Sequence, residues 1–163
     1  MDVDPESSIA IQIVLIVVLT LINAYFAASE MAIVSVNKSK IHRLSEEGNK
    51  KAKLVEKLLD QPTNFLSTIQ VAITLAGFFN SASAATGISK SFADVLKNWS
   101  VPYADTIAVV LITILISFIT LIFGELVPKR IALQKAESYS MFCAKPILVI
   151  SKIASPFIKI LSW

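Results

Sequence analysis

The segment Phe123-Gly124-Glu125-Leu126-Val127-Pro128-Lys129 sets three chemically unusual groups at the end of an apolar run. A carboxylate is expensive at that depth in lipid, which makes Glu125 a candidate functional group. Pro128 has no N–H for the carbonyl four residues back, and in a continuous helix that carbonyl belongs to Gly124. A bare carbonyl beside a carboxylate is an oxygen pair suited to a hard cation. Further oxygen donors lie in two earlier apolar segments: Asn23, Ser29 and the second carboxylate Glu30 in one, Thr74 and Asn80 in the other. Gly77 and Pro128 are the residues expected to shape the site without ligating.

Three apolar segments must bring these groups together. Residues 9–36 read as one helix, aliphatic over 9–22, whose Ile16, Thr20, Asn23, Ala27 and Glu30 recur at helical spacing. A lipid-facing helix would not carry that increasingly polar stripe, so it is expected to face protein or water. Residues 65–86 form the second segment, with Ser67, Gln70, Thr74, Gly77 and Ser81 on one face. Small and hydroxylated residues allow close helix approach and hydrogen bonds between helices. Residues 105–127 form the third, where Thr113, Ser117, Thr120 and Gly124 repeat at four, three and four. At about 1.5 Å per residue each segment is long enough for a hydrocarbon core of roughly 30 Å.

Between them, residues 38–61 are charged and amphipathic, with a break near Gly48, and read as two short juxtamembrane helices ended by Pro62. Residues 88–103 read as a short loop. Residues 138–162 are long enough to span, but Lys145, Lys152 and Lys159 share one face and Pro146 and Pro156 interrupt the pattern. A row of lysines is costly at the membrane centre, so this stretch is expected to lie as an interfacial belt. The predicted fold is an all-α integral membrane domain with three transmembrane helices.

Composition supports that class. Of 163 residues 55% are hydrophobic and only 17% charged, against about a quarter in soluble domains. Mean hydropathy is +0.68. A single cysteine, Cys143, rules out an internal disulfide, and a single histidine, His42, leaves no pair for His-centred catalysis. No serine–lysine pair at membrane depth makes a nucleophile, so the chain is not read as an enzyme. The start, Met1-Asp2-Val3-Asp4-Pro5-Glu6, is acidic where a signal peptide needs cations. Of 15 Lys and Arg, seven lie in residues 37–61, two in 88–103 and six after Phe123. The positive-inside rule then puts the N-terminus outside and the C-terminus in the cytoplasm, at the cell membrane.

Three motifs carry a family resemblance: Asn23-Ala24-Tyr25-Phe26-Ala27-Ala28-Ser29-Glu30-Met31-Ala32, Phe65-Leu66-Ser67-Thr68-Ile69-Gln70-Val71-Ala72-Ile73-Thr74-Leu75-Ala76-Gly77-Phe78, and Phe123-Gly124-Glu125-Leu126-Val127-Pro128-Lys129. Together they resemble the membrane (DUF21-type) domain of the CorC/CNNM family. The resemblance implies a homodimeric magnesium transporter, generally linked to sodium-driven export. It also implies Mg2+ bound as substrate between helices, with the glycine carbonyl and glutamate matching Gly124 and Glu125 among its ligands. The sequence departs from the family at Ala27, where many members have serine, and at Ile73 and Gly77, where they have asparagines. Some relatives with a divergent site are polyamine exporters, so a polyamine or other divalent cation is the alternative cargo. The family's cytosolic CBS pair is missing, and the chain looks like a membrane domain cut from a longer protein. A third reading is therefore an ion-sensing membrane anchor for those domains. Membrane lipid and a second copy are the expected partners; nucleic acid is not.

Overall fold

The computed structural model describes residues 5–161, and side chains from Ser8 onward. The acidic start, residues 1–4, and the final belt residue Ser162 lie outside them. The described residues are helical with short connections and contain no strand.

Helix α1 (Pro5–Ser35) is the spine; α2 (Lys38–Glu46) and α3 (Lys50–Asp60) fold back from its end as the two predicted short helices. Asn37 caps α2 by accepting from the Lys40 N–H, and Asn49 caps α3 by accepting from Lys51 and Ala52. Such caps satisfy N–H groups that a helix start leaves without partners. Gly48, at φ 93°, makes the reversal between them, a backbone conformation that favours glycine.

Helix α4 (Pro62–Ser83) begins with Pro62 in its first turn, where the missing N–H costs nothing. It continues through a π-helical turn, Ala84–Ile88, into α5 (Ser89–Asn98). The expected loop over 88–103 is thereby corrected: the chain stays helical to Asn98. The reason is packing, since Ala93 and Leu96 of α5 are buried with Ala104 and Ala108 of the next helix. That helix, α6 (Ala104–Leu121), runs through a second π-helical turn, Ile122–Leu126, into α7 (Val127–Gln134). Helix α8 (Ala136–Leu161) closes the chain.

Four helices, not three, are long and apolar enough to cross a membrane: Ser8–Ser35, Pro62–Asn98, Ala104–Gln134 and Ala136–Leu161. The last corrects the three-helix count. Its lysines sit seven residues apart, leaving long apolar stretches between them. Pro146 and Pro156 do not interrupt it either, because α8 is continuous through both. Its Cys143, Ala144 and Ile147 are buried with Ile33, Val55 and Phe65 of α1, α3 and α4, and this packing holds the helix where proline removes a backbone hydrogen bond.

The arrangement is apolar outside. Only 11% of the most apolar window of Ala104–Gln134 is buried, and Leu111, Leu115 and Phe118 stand outward. Lipid rather than a protein core is the natural solvent for that surface. The inward side of α1 is the predicted stripe, since Ile16, Thr20, Asn23 and Ala27 are all buried.

Candidate functional site

The site forms where the inner face of α1 meets α4 and the second π-helical turn. There the Val127 N–H reaches back five residues to the Ile122 carbonyl, so the ladder has left α register before it meets Pro128. Such turns are rare and recur at functional sites. The Gly124 carbonyl accepts instead from Asn23 Nδ2 of α1, at 3.0 Å. The oxygen expected to be bare is thus held by a side chain across the helix interface.

Gly124 is also a matter of space. A Cβ built there would come 3.1 Å from Asn23 Nδ2 and 3.4 Å from methyl groups of Thr20 and Thr120. Glycine lets α1 approach closely enough for the Asn23 amide to reach the carbonyl.

One turn away a second asparagine closes the cluster. Asn80 of α4 donates through Nδ2 to Thr20 Oγ1 and Thr120 Oγ1, both at 3.1 Å, joining α1, α4 and α6. Asn23 is 4% exposed and Asn80 2%, yet Oδ1 of each lacks a hydrogen-bond partner. Buried polar atoms are almost always partnered, so these two amide oxygens are available to a water or an ion in the cluster. Both asparagines, with Thr74, Gly77, Thr120 and Glu125, border a cavity of about 370 Å³.

The charges form a chain. Lys129 Nζ donates to Glu125 Oε1 at 3.0 Å and lies 3.3 Å from Glu30 Oε2. Two carboxylates against one ammonium leave the cluster with a net negative charge. No group of three or more His, Cys, Asp or Glu suited to a metal occurs among the described residues. A cation here would therefore meet neutral amide, carbonyl and hydroxyl oxygens, with Glu125 supplying charge.

Of the sequence-predicted residues, the structure brings Asn23, Gly124, Glu125, Thr74, Gly77 and Asn80 together at this cavity. Glu30 borders a neighbouring cavity with Ser67 and Gln70 and reaches Glu125 through Lys129. Ser29 is fully buried elsewhere, donating to the Tyr25 carbonyl at 2.7 Å, and does not border the site. Thr74 faces the cavity but donates to the Gln70 carbonyl at 2.8 Å. Pro128 does not border this cavity but lines a separate one with Leu21 and Tyr25. Three participants escaped the sequence reading. Lys129 was not among the candidate site residues, although its i,i+4 spacing from Glu125 is that of a helical ion pair. Thr20 and Thr120 were visible in the polar stripes, but no spacing rule pairs them with Asn80.

Residues 14–163 match the family model described as the cyclin M transmembrane N-terminal domain. A UPF0053 protein of Synechocystis is 36% identical over 96% of this chain and 35% of its own length. A UPF0053 protein of Bacillus subtilis is 34% identical over 93% of this chain and 35% of its own. The polyamine export protein of Haemophilus influenzae is 28% identical over 83% of this chain and 34% of its own length. The chain thus spans about a third of the length of these curated relatives. Motifs, four apolar helices and family match agree that this chain is a membrane protein of the CorC/CNNM family.

Proposed function

We propose that this chain carries a hard divalent cation, with Mg2+ as cargo, through the cavity between α1, α4 and α6. The observation that carries the reading is the pair of buried, unpartnered amide oxygens of Asn23 and Asn80 beside Gly124 and Glu125. Carbonyl, amide and carboxylate oxygens are what such an ion prefers, and Mg2+ keeps several of its waters when bound. Six waters at about 30 Å³ each occupy roughly 180 Å³, and the cavity of about 370 Å³ has room for an ion in its hydration shell. The net negative charge of Glu30, Glu125 and Lys129 favours cation entry.

The direction is export driven by sodium, with the N-terminus outside and the C-terminus cytoplasmic, in line with the lysine-rich α2, α3 and chain end. A homodimer fits the open side of the cavity, where exposed Thr74 and Ser117 border the gap. Small and hydroxylated residues favour close helix approach, and a second copy would cover them. The CBS pair would regulate the full-length protein.

A polyamine is the second reading. It is favoured by the exporter among the relatives and by Ile73 and Gly77, which give the α4 wall no oxygen ligand of their own. Glu30 and Glu125 would then meet separated ammonium groups.

Flux in proteoliposomes tests the two. Mg2+ efflux against a sodium gradient, abolished in Glu125→Gln and insensitive to spermidine, supports magnesium. Spermidine flux with no Mg2+ flux sinks that assignment in favour of the polyamine. Cation binding without any flux would leave the ion-sensing anchor as the surviving function.

A further inference from the structure

A second concave feature lies away from the ion site, where α4 starts beside α3 and α8. It is a groove of about 570 Å³. Lys57, Asp60 and Asn64 border it from α3 and the first turn of α4, and Lys145, Ser151 and Lys152 border it from α8.

Three features of this groove point to an anion. None of Lys57, Lys145 or Lys152 has an ion-pair partner among the described residues, so three cations face one carboxylate. Ser151 Oγ is buried without a hydrogen-bond partner, a hydroxyl free to donate. Helix α4 starts beside the groove, which Gln61 and Asn64 border, with Gln61 making no side-chain cap, so the positive end of its dipole lies close by. Phosphate is bound by that combination of helix start, hydroxyl and ammonium groups.

The location selects the source of the phosphate. Leu148 and Val149 border the groove, and the outward face of α8 continues through Ile153, Phe157 and Ile160, each more than two-thirds exposed. Acyl chains can follow that apolar strip while the headgroup sits among the lysines. We propose that this groove binds the phosphate of an anionic membrane lipid, bridging α8 to α3 and α4. The site is independent of which ion the chain carries.

The test uses the chain in nanodiscs of phosphatidylcholine with a minor fraction of phosphatidylglycerol, reading the lipids retained by native mass spectrometry. The wild type is expected to retain phosphatidylglycerol above its bulk fraction. Lysine near a charged surface is worth roughly fivefold in binding, so Lys145→Gln with Lys152→Gln should lower the enrichment by up to about 25-fold. The same charge removed outside the groove, by Lys50→Gln with Lys51→Gln, should leave it. Ser151→Ala is expected to reduce it on its own. Equal loss in both lysine pairs, or no loss in the groove pair, would overturn the proposal. So would displacement of the lipid by inorganic phosphate at matched ionic strength, because the site would then serve a soluble anion.

Discussion

Gly77 borders the candidate ion cavity, Gly124 sits beside it under the Asn23 amide, and the space around the two differs. A Cβ at Gly124 would meet Asn23 Nδ2 at 3.1 Å, whereas at Gly77 no atom outside its own helix lies within 4 Å. Gly124→Ala should push the Asn23 amide from the carbonyl it holds, losing a hydrogen bond of about 1 kcal/mol. Overpacking adds about 1–3 kcal/mol, and the better helix propensity of alanine returns about 1 kcal/mol. The net cost is about 1–3 kcal/mol. At about 2–4 °C per kcal/mol for a chain of this size, the melting temperature should fall by about 2–12 °C. Gly77→Ala keeps only the propensity gain and should melt unchanged or about 2–4 °C higher. The decisive assay is thermal unfolding of both variants in detergent with and without Mg2+. Because the Asn23 amide and the Gly124 carbonyl are both disturbed, Gly124→Ala should also weaken Mg2+ stabilisation at least about tenfold, the equivalent of about 1.4 kcal/mol. Equal behaviour of the two variants would refute the close-approach argument. A destabilised Gly124→Ala with an intact Mg2+ response would separate packing from ligation and remove that carbonyl from the site.

Glu125→Gln keeps the shape of the side chain and removes its charge, so Mg2+ should no longer raise the melting temperature; an unchanged shift would exclude the carboxylate as a ligand. Lys129→Met removes the ammonium shared by Glu30 and Glu125, and the half-saturating Mg2+ concentration should drop several-fold as the site becomes more negative. A rise instead would show that the lysine organises the site rather than competing with the cation. At the polar end of the domain, the His42 imidazole lies 2.6 Å from Glu56 Oε1, and Glu56 also accepts from Ser45. The hydrogen bond to Glu56, with Glu46 nearby, raises the His42 pKa above its usual 6.5. The bond to His42, and then that to Ser45, lowers Glu56 below 4.5. The His42 contribution is complete below its unfolded pKa and is lost as pH rises through the raised folded value. That of Glu56 is complete above its unfolded pKa and is lost as pH falls through the depressed one. Melting of wild type against His42→Gln should therefore differ most between about pH 4.5 and 6.5, and a difference that does not vary with pH would refute the charged pairing.

The sequence was most legible where one physical rule acts alone. Hydrocarbon solvation marks the three longest apolar segments, whatever their neighbours. The polar stripe on α1 had to be inward because lipid does not solvate it, and Thr20 and Asn23 are buried. Gly48 announced the break between α2 and α3, where its positive φ makes the reversal. Where two effects oppose each other, the sequence alone decided less. Lysines and prolines argued against a spanning α8, yet the helix is continuous and apolar enough to span, because packing on α1, α3 and α4 compensates. Residues 88–98 looked like a loop until α6 offered Ala104 and Ala108 to pack on.

The Gly124–Pro128 segment shows the same division. The amino-acid sequence by itself determined that a carbonyl would lose its backbone donor and that a carboxylate would stand beside it, since both follow from covalent structure and helical spacing. Only the tertiary structure decided what meets them. Asn23 reaches that carbonyl because Gly124 has no Cβ, and Asn80 ties Thr20 to Thr120 across three helices. Ser29 turns to its own helix backbone, and Lys129 links the two carboxylates. Contacts between helices depend on how the helices are rotated and how closely they approach, and these are set by the packing of the whole bundle.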